Sequence, residues 1–548
     1  MGTRQAVPPS EAEWLPVPLR RLRAQLLILV PIATIVAVAM AWGEHGIFWP
    51  DEFYQITEPA HRWVFGYGFR AWEFQEGLRS WILPGVMGVV WAIVDRLGVD
   101  SGLGFMRLAR LLVALGGVGA VAAAITWAHR TRGSLAGLLA GVMLIITPFA
   151  LLMNLHTFGE TVAAALIMVA ALAVPGGVAA APHPRLVTLC GIAAGFAIPI
   201  RPQSVLLVGG FVVMLLVEGR RDTARRFAVP IGAVIMLSGL IDWITWGVPF
   251  ASFWRNFQFQ LIEGGASKYF GSHPFTFFAV HLPQTYGVFG VIVVMGLIAA
   301  AWVIPKHVIN VVAFVFVHSL IAHKELRFVY PVIPYATAVS AVGLSYLAQR
   351  IHLSVAPPPE PVRPSAKGTK KGGKRDAAAE PSAAPPRSTT APLAIVGVVI
   401  TLFAVLGVVQ ARSLTFGDAG NTVFWDADAS VWNNSAGWNQ LLSVAGQRTE
   451  TCGVAIGSSN RGEGTILTGG FGYLHRDVPL YSVDVAVIAA APPELRTVNV
   501  ILMAEGIEPP PEYTMAATDQ GVAMLVRDGA CDPVPREYTT DFPRPGDY

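Results

Sequence analysis

Residues 24–42 form a run of nineteen positions without one charged side chain, and Arg20, Arg21 and Arg23 stand just before it. A helix of about 20 apolar residues crosses a bilayer with every backbone group bonded inside the segment. The run is too long for a secretory leader and shows no small-residue cleavage site, so it is expected to remain as a span. Ten further apolar runs follow, near 105–128, 133–151, 161–179, 186–200, 203–218, 227–248, 285–304, 308–322, 327–348 and 392–411. The length criterion therefore predicts about eleven transmembrane helices. Only 14% of the 548 residues are charged and 53% are hydrophobic, where a soluble domain carries about a quarter charged. The expected fold class is an α-helical polytopic membrane protein. The net charge of +3 is too small to imply a nucleic-acid partner.

Cytoplasmic loops carry the excess of Lys and Arg. That rule puts the N-terminal tail, residues 1–23, in the cytoplasm of a plasma (inner) membrane. His129-Arg130-Thr131-Arg132, His183 with Arg185, Arg220-Arg221 through Arg225-Arg226, and Lys306-His307 then fall on the same side. The loops 43–104 and 249–284 face outward. Counting 82–98 as a span would invert this pattern, so it is read as interfacial or re-entrant. After a core at 24–350, residues 351–391 hold Pro357-Pro358-Pro359 and the cluster Lys367, Lys370, Lys371, Lys374 and Arg375. This composition predicts a disordered basic cytoplasmic linker. A last span at 392–411 leads to residues 412–548, whose composition suits a small extracytoplasmic α/β domain. Short apolar runs at 452–456, 483–488, 498–502 and 522–526 read as strands, and 432–444 as a helix. Cys452 and Cys531 lie in this domain and form a possible disulfide if it meets an oxidising compartment. Cys190, in an apolar run, is expected to be a free buried thiol.

Against this frame Trp49-Pro50-Asp51-Glu52 is conspicuous, because two adjacent carboxylates stand at the mouth of the first span. Pro50 suits the start of a helix, and Asp51, Gln55 and Glu58 would then share one face, with Glu52 pointing elsewhere. The doublet is either a solvated helix start or the lining of a substrate path. Other polar groups fall on the same outer side: His156 and Glu160, Arg201 before Pro202, Lys268 and His273, and His323-Lys324-Glu325 with Arg327. Singly each has a plain structural role, such as a pairing of His156 with Glu160 one turn away or a snorkelling arginine. Together they suggest a site for an anionic lipid head group with an acid nearby. No His-Glu-x-x-His or Gly-x-Ser-x-Gly spacing occurs, which disfavours a peptidase or an α/β-hydrolase. A multi-span transporter or flippase for a lipid-linked or anionic substrate is the alternative reading, although these charges sit at span ends rather than the midplane.

Four blocks within residues 24–350 resemble GT-C glycosyltransferases of family 22, the dolichyl- or polyprenyl-phosphate-mannose-dependent α-mannosyltransferases. The first is Pro50-Asp51-Glu52 with Gln55, Glu58, Ala60 and His61. The second is His156-Thr157-Phe158-Gly159-Glu160-Thr161 with Arg201-Pro202; the third is Asp242, Trp246-Gly247 and Lys268 to Pro274; the fourth is His323-Lys324-Glu325-x-Arg327-Phe328. The family more often has His than Trp before Pro-Asp-Glu, and an aromatic Tyr-Gly pair where this chain has Trp246-Gly247. The linker and tail, with Gly469-Gly470-Phe471-Gly472-Tyr473, resemble a bacterial-type member. The resemblance implies a GT-C fold, a polyprenyl-phosphate sugar donor, a glycan or glycolipid acceptor, and transfer with inversion at the outer leaflet. It implies no cofactor, and leaves a divalent ion near Asp51 and Glu52 open. Of the two acids, Asp51 is favoured as the base, with Glu52 holding the acceptor or tuning it. Arg201, His323, Lys324 and Arg327 are expected at the donor phosphate, with Lys268 and His273 as further candidates.

Overall fold

The computed structural model describes residues 17–43, 46–176, 182–355, 401, 405–421, 425–458, 463–466, 468–488, 493–534 and 538–542. Among them, four helices are long and apolar enough to cross a membrane: Leu22–Gly43, Gly102–Arg132, Arg221–Trp246 and Leu326–Ile351. Phe277–Tyr286 and Val288–Ala300, bent by 116° at their junction, make a fifth if they act as one broken span. Five other apolar runs are helical but short: Ser134–Ile146, Gly159–Ala171, Pro184–Ile200, Pro202–Val217 and Pro305–Leu320. Of the about eleven spans expected, four or five among the described residues thus meet the full length criterion. Proline accounts for two of the early stops, since the residue before it is driven out of helical conformation. Thr147 before Pro148 is extended (φ −69°, ψ 119°) and closes Ser134–Ile146. Arg201 before Pro202 is extended (φ −140°, ψ 99°) and closes Pro184–Ile200, which leaves its side chain at the end of the helix. Within the last run, 392–400 and 402–404 lie outside the described residues, as does the linker from 356 to 391.

The ambiguous stretch 82–98 forms the fifteen-residue helix Ile82–Arg96. Its length of about 22 Å falls short of a hydrocarbon core of about 30 Å. Val86, Val89 and Ile93 are exposed while Met87 and Trp91 are buried, so the helix is apolar on its outer face as well as on its packed one.

The C-terminal domain is a five-stranded sheet: β1 (Val454–Ser458), β2 (Leu480–Asp484), β3 (Val500–Ala504), β4 (Thr514–Asp519) and β5 (Val522–Val526), in the order β2-β1-β3-β5-β4. β1 pairs in parallel with β2 and β3, whereas β5 runs antiparallel to β3 and β4. Two details differ from the sequence reading. The apolar run 483–488 leaves the sheet after Asp484, because the Asp484 carboxylate accepts the Ala486 N–H at 2.9 Å and starts a helical turn. β4 was not anticipated, because it is an edge strand with mostly exposed side chains and little apolar alternation. The expected helix is Ala436–Gln447. Cys452 and Cys531 are paired, and Cys190 is free and buried.

One apolar core fills the bundle around Trp127, Phe149, Phe211 and Tyr335. A second joins the loop after the first span to the sheet, packing Phe53, Tyr54, Phe69 and Phe105 with Leu442, Phe471, Tyr473, Leu502 and Met524. Phe542 stacks on Phe69 at 4.5 Å and meets Tyr54 edge-on at 4.8 Å, contacts of about 0.5–1.5 kcal/mol each beyond the area they bury. The domain is thus seated on the segment that carries the acid doublet.

Candidate active site

Pro50 opens a helical turn, its carbonyl accepting the N–H groups of Phe53 and Tyr54. Residues Phe53–Thr57 then widen into a π turn in which the Glu58 N–H reaches the Phe53 carbonyl. Such turns shift helical phase by a residue and recur at functional sites. Here the shift separates side chains that a regular helix would align: Gln55 turns to Glu73, at 3.1 Å, while Glu58 turns into the C-terminal domain. The shared face expected for Asp51, Gln55 and Glu58 is corrected by this turn.

The two acids have unlike surroundings. Glu52 is fully buried; one oxygen accepts the Phe48 N–H at 3.1 Å and the other meets His156 Nδ1 at 2.8 Å. Its carbonyl accepts the Thr157 hydroxyl at 2.9 Å. Asp51 is 29% exposed, with Oδ2 held by Arg327 Nη2 at 2.6 Å. Glu52 is thus enclosed by its own contacts, and Asp51 is the more exposed of the two acids. His156 is engaged by Glu52 and not by Glu160, because extended Phe158 (φ −83°, ψ 148°) precedes the helix Gly159–Ala171 and leaves His156 outside it.

Glu325 is extended (φ −134°, ψ 144°) just ahead of the 3-10 turn Leu326–Val332 that carries Arg327. Glu325 accepts from His323 Nε2 at 3.0 Å and from Arg327 Nε at 2.5 Å. His323 Nδ1 faces the Gly271 carbonyl at 3.0 Å. Both ring nitrogens thus face acceptors, the arrangement of an imidazolium. Burial alone would raise the Glu325 carboxyl, but the Arg327 guanidinium and His323 outweigh it and hold it below the usual carboxylate range. Arg327, only 2% exposed, spans Glu325 and Asp51 and lies among the rings of Trp49, Phe158 and Phe328, at 5.3, 5.0 and 5.4 Å. The fixed planar fork of arginine allows this bridging.

Glu160, in the first turn of its helix, pairs with Arg201 and lies 3.9 Å from Arg327 Nη1. A Cβ at Gly159 would come within 3.2 Å of Arg201 Nε, so glycine makes room for the guanidinium. Arg201 lines a cavity of about 400 Å³ together with Gln55 and Arg79; apolar side chains such as Ile198, Val205, Ile235 and Phe253 complete its wall. Arg79 pairs with Glu73 at 3.6 Å, and its carbonyl is held by Trp246 Nε1 at 3.1 Å. The Nε groups of Arg79 and Arg201 are buried without a hydrogen-bond acceptor. Two guanidinium groups at the polar end of an apolar cavity can receive a lipid phosphate.

Not every expected residue joins this cluster. Lys268 is exposed beside Tyr269. The Lys324 ammonium donates to the carbonyls of His273, at 2.8 Å, and Ile321, at 2.5 Å, so it fastens the loop. The His273 ring lies tilted against Phe277, 4.6 Å between centroids. Burial and the neighbouring His323, His281 and Lys324 hold its pKa below that of an ordinary histidine. Glu58 accepts three backbone N–H groups and faces away from the cavity. Conversely, Arg79 and Glu73 join this cluster without being selected from sequence, and Glu325, grouped there with the outer-side charges, had been given no role. Arg79 and Glu73 stand in the loop 43–104, already assigned to the side of Asp51. Glu325 stands two positions from both His323 and Arg327. Among the described residues no group of three or more His, Cys, Asp or Glu is arranged to hold a metal ion.

The helical bundle with a docked C-terminal domain has the GT-C membrane fold. ArnT from Cupriavidus metallidurans, solved with undecaprenyl phosphate, matches with a TM-score of 0.56 over 93% of this chain and 99% of that one, at 15% identity. Its apo form matches at 0.52 over 92% and 98%. The chain belongs to the Alg9-like mannosyltransferase family, whose model matches residues 27–412. Similar curated proteins include GPI mannosyltransferase 3 of Yarrowia lipolytica, 27% identical over 331 residues, which are 59% of this chain and 63% of that protein. Human GPI alpha-1,2-mannosyltransferase 3 is 26% identical over 316 residues, 55% of this chain and 54% of that protein. These matches span between about half and under two thirds of the relatives' own length.

Proposed function

We propose that the protein is an inverting membrane mannosyltransferase. It takes mannose from a polyprenyl-phosphate donor and transfers it to a glycan or glycolipid acceptor at the outer face of the membrane. Family membership and the names of the similar proteins support the sugar and the reaction class. The observation that carries the reading is the pairing of half-open Asp51 with a neighbouring apolar cavity headed by Arg79 and Arg201. In the proposed step the acceptor hydroxyl attacks the anomeric carbon and gives its proton to the free oxygen of Asp51, as general base catalysis requires. The bond from that carbon to the phosphate oxygen breaks, and polyprenyl phosphate leaves with the electron pair. Arg79 and Arg201, fixed before the reaction starts, stabilise the growing phosphate charge. Arg327 orients Asp51 and links it to Glu325 and Glu160. The N-terminus is cytoplasmic and the site and C-terminal domain extracytoplasmic, in keeping with the basic loops.

The test is transfer from polyprenyl-phosphate mannose by the purified protein in nanodiscs. An envelope glycolipid extract serves as acceptor, and products are read by mass spectrometry. A mass gain of one hexose on an acceptor lipid is expected. Movement of substrate across reconstituted vesicles without any new glycosidic bond would overturn the reading.

A further inference from the structure

We propose that the C-terminal domain is a working part of the catalytic site: Glu58, clamped by the amides of Phe471 and Gly472, sets the position of Asp51 and is a positioning residue for transfer. The inference rests on the reading of Asp51 as the base. Residues 51–65 are one continuous helical rod, through the π turn. Asp51 stands at one end and Glu58 about 10 Å further along. Glu58 is wholly buried, and its carboxylate gathers three backbone N–H groups: Phe69 at 2.8 Å, Phe471 at 3.2 Å and Gly472 at 2.9 Å. One turn earlier the Tyr54 hydroxyl donates to the Thr465 carbonyl at 2.5 Å, with the Thr468 carbonyl at 3.1 Å. Both contacts bind the rod that bears Asp51 to a segment more than 400 positions away in sequence.

The glycine-rich motif of the tail has its physical reason here. Gly470 is in the left-handed region (φ +56°), and a Cβ on it would come within 3.2 Å of the Glu58 carboxyl carbon. A Cβ on Gly472 would sit 3.3 Å from Met106 Sδ and 3.6 Å from Glu58 Oε2. Backbone amides approach the carboxylate closely because side chains are missing. A second attachment lies at 538–542, where Arg70 exchanges backbone hydrogen bonds with Thr540 and Phe542 at 2.9 and 3.0 Å. Gln75 Nε2 also donates to the Phe542 carbonyl at 2.6 Å. Both attachments lie beyond residue 412, where the family match ends. The groups that would bind donor phosphate, Arg79 and Arg201, come from other segments. Loosening the clamp should therefore disturb the base and spare the donor site.

The full-length protein in nanodiscs is compared with Glu58→Ala, Glu58→Gln and Tyr54→Phe. In Glu58→Ala, amide exchange in peptides covering 46–57 should accelerate. The kcat per folded molecule should fall at least tenfold, with donor KM within twofold. Glu58→Gln keeps an amide oxygen for Phe69 and Phe471 and should recover most of the kcat. Tyr54→Phe, which deletes one hydroxyl, gives the same pattern more weakly and carries the test if Glu58→Ala does not fold. Unchanged exchange at 46–57, or faster exchange with unchanged kcat, overturns the proposal. A purely architectural Glu58 would lower yield and melting temperature without altering kcat per folded molecule. If the wild type transfers no sugar, the functional reading fails, and the exchange data still decide the clamp.

Discussion

Asp51 and Glu52 are adjacent, and the structure predicts opposite consequences for removing them. Asp51→Asn keeps the shape of a side chain that is 29% exposed and loses a single ion pair with Arg327, which retains Glu325. Asparagine can still accept from buried Arg327, whose charge Glu325 balances, so the loss is that between a charged and a neutral hydrogen bond, about 1 kcal/mol. Loss of a general base slows reaction by about 10²- to 10⁴-fold, or about 3–5.5 kcal/mol of activation free energy. Glu52→Ala instead strands two buried donors, the Phe48 N–H and His156 Nδ1, at about 1–3 kcal/mol each. Glu52→Gln offers the Phe48 N–H an oxygen and His156 a donor, so it should keep both fold and turnover. The assay is hexose transfer alongside intrinsic tryptophan fluorescence on heating. Asp51→Asn should melt with the wild type and turn over at least a hundredfold more slowly, while Glu52→Ala should melt lower. Near wild-type turnover in Asp51→Asn would refute the assignment, as would a Glu52→Gln that melts normally and is inert.

Three further outcomes are expected. Arg79→Met removes a guanidinium from the cavity, and a charge-assisted contact of about 1.5 kcal/mol or more corresponds to a rise in donor KM of about tenfold; an unchanged KM would exclude Arg79 from phosphate binding. Burial, opposed by the amides of Phe69, Gly472 and Phe471, raises the Glu58 carboxyl from 4.5 to about 7. The folded state then keeps a proton that the unfolded chain releases, so Glu58 lowers stability by about 3 kcal/mol as pH rises from about 4.5 to about 7, and no further above that. Thermal melting across that window should slope less in Glu58→Gln than in the wild type, and equal slopes would refute this. The Cys452–Cys531 bridge closes a separation of 79 residues, worth about 4–5 kcal/mol in the chain-entropy picture. Cys452→Ser should lower the melting temperature of the domain, and non-reducing peptide mapping of the wild type should recover the linked pair.

The sequence by itself determined what depends on composition along the chain. Apolar runs of known length specify helices in lipid, and described residues from every one of them fold as helix. Charge at the ends of those runs singled out Asp51, Arg201 and Arg327, which the structure brings into one network with Glu160. Short continuous apolar runs located three of the five strands directly, because buried strands must carry their own hydrophobic signal. Tertiary structure decided what depends on backbone geometry and distant partners. A π turn needs one altered hydrogen-bond register and leaves no periodicity to read, yet it turned Glu58 from the cavity into the C-terminal domain. The division of labour between Asp51 and Glu52 follows from where Phe48 and His156 fall. Arg79 is one arginine among several in its loop until the cavity shows which anion it can meet. A side chain's identity fixes the charge it can carry, and only the fold fixes what that charge faces.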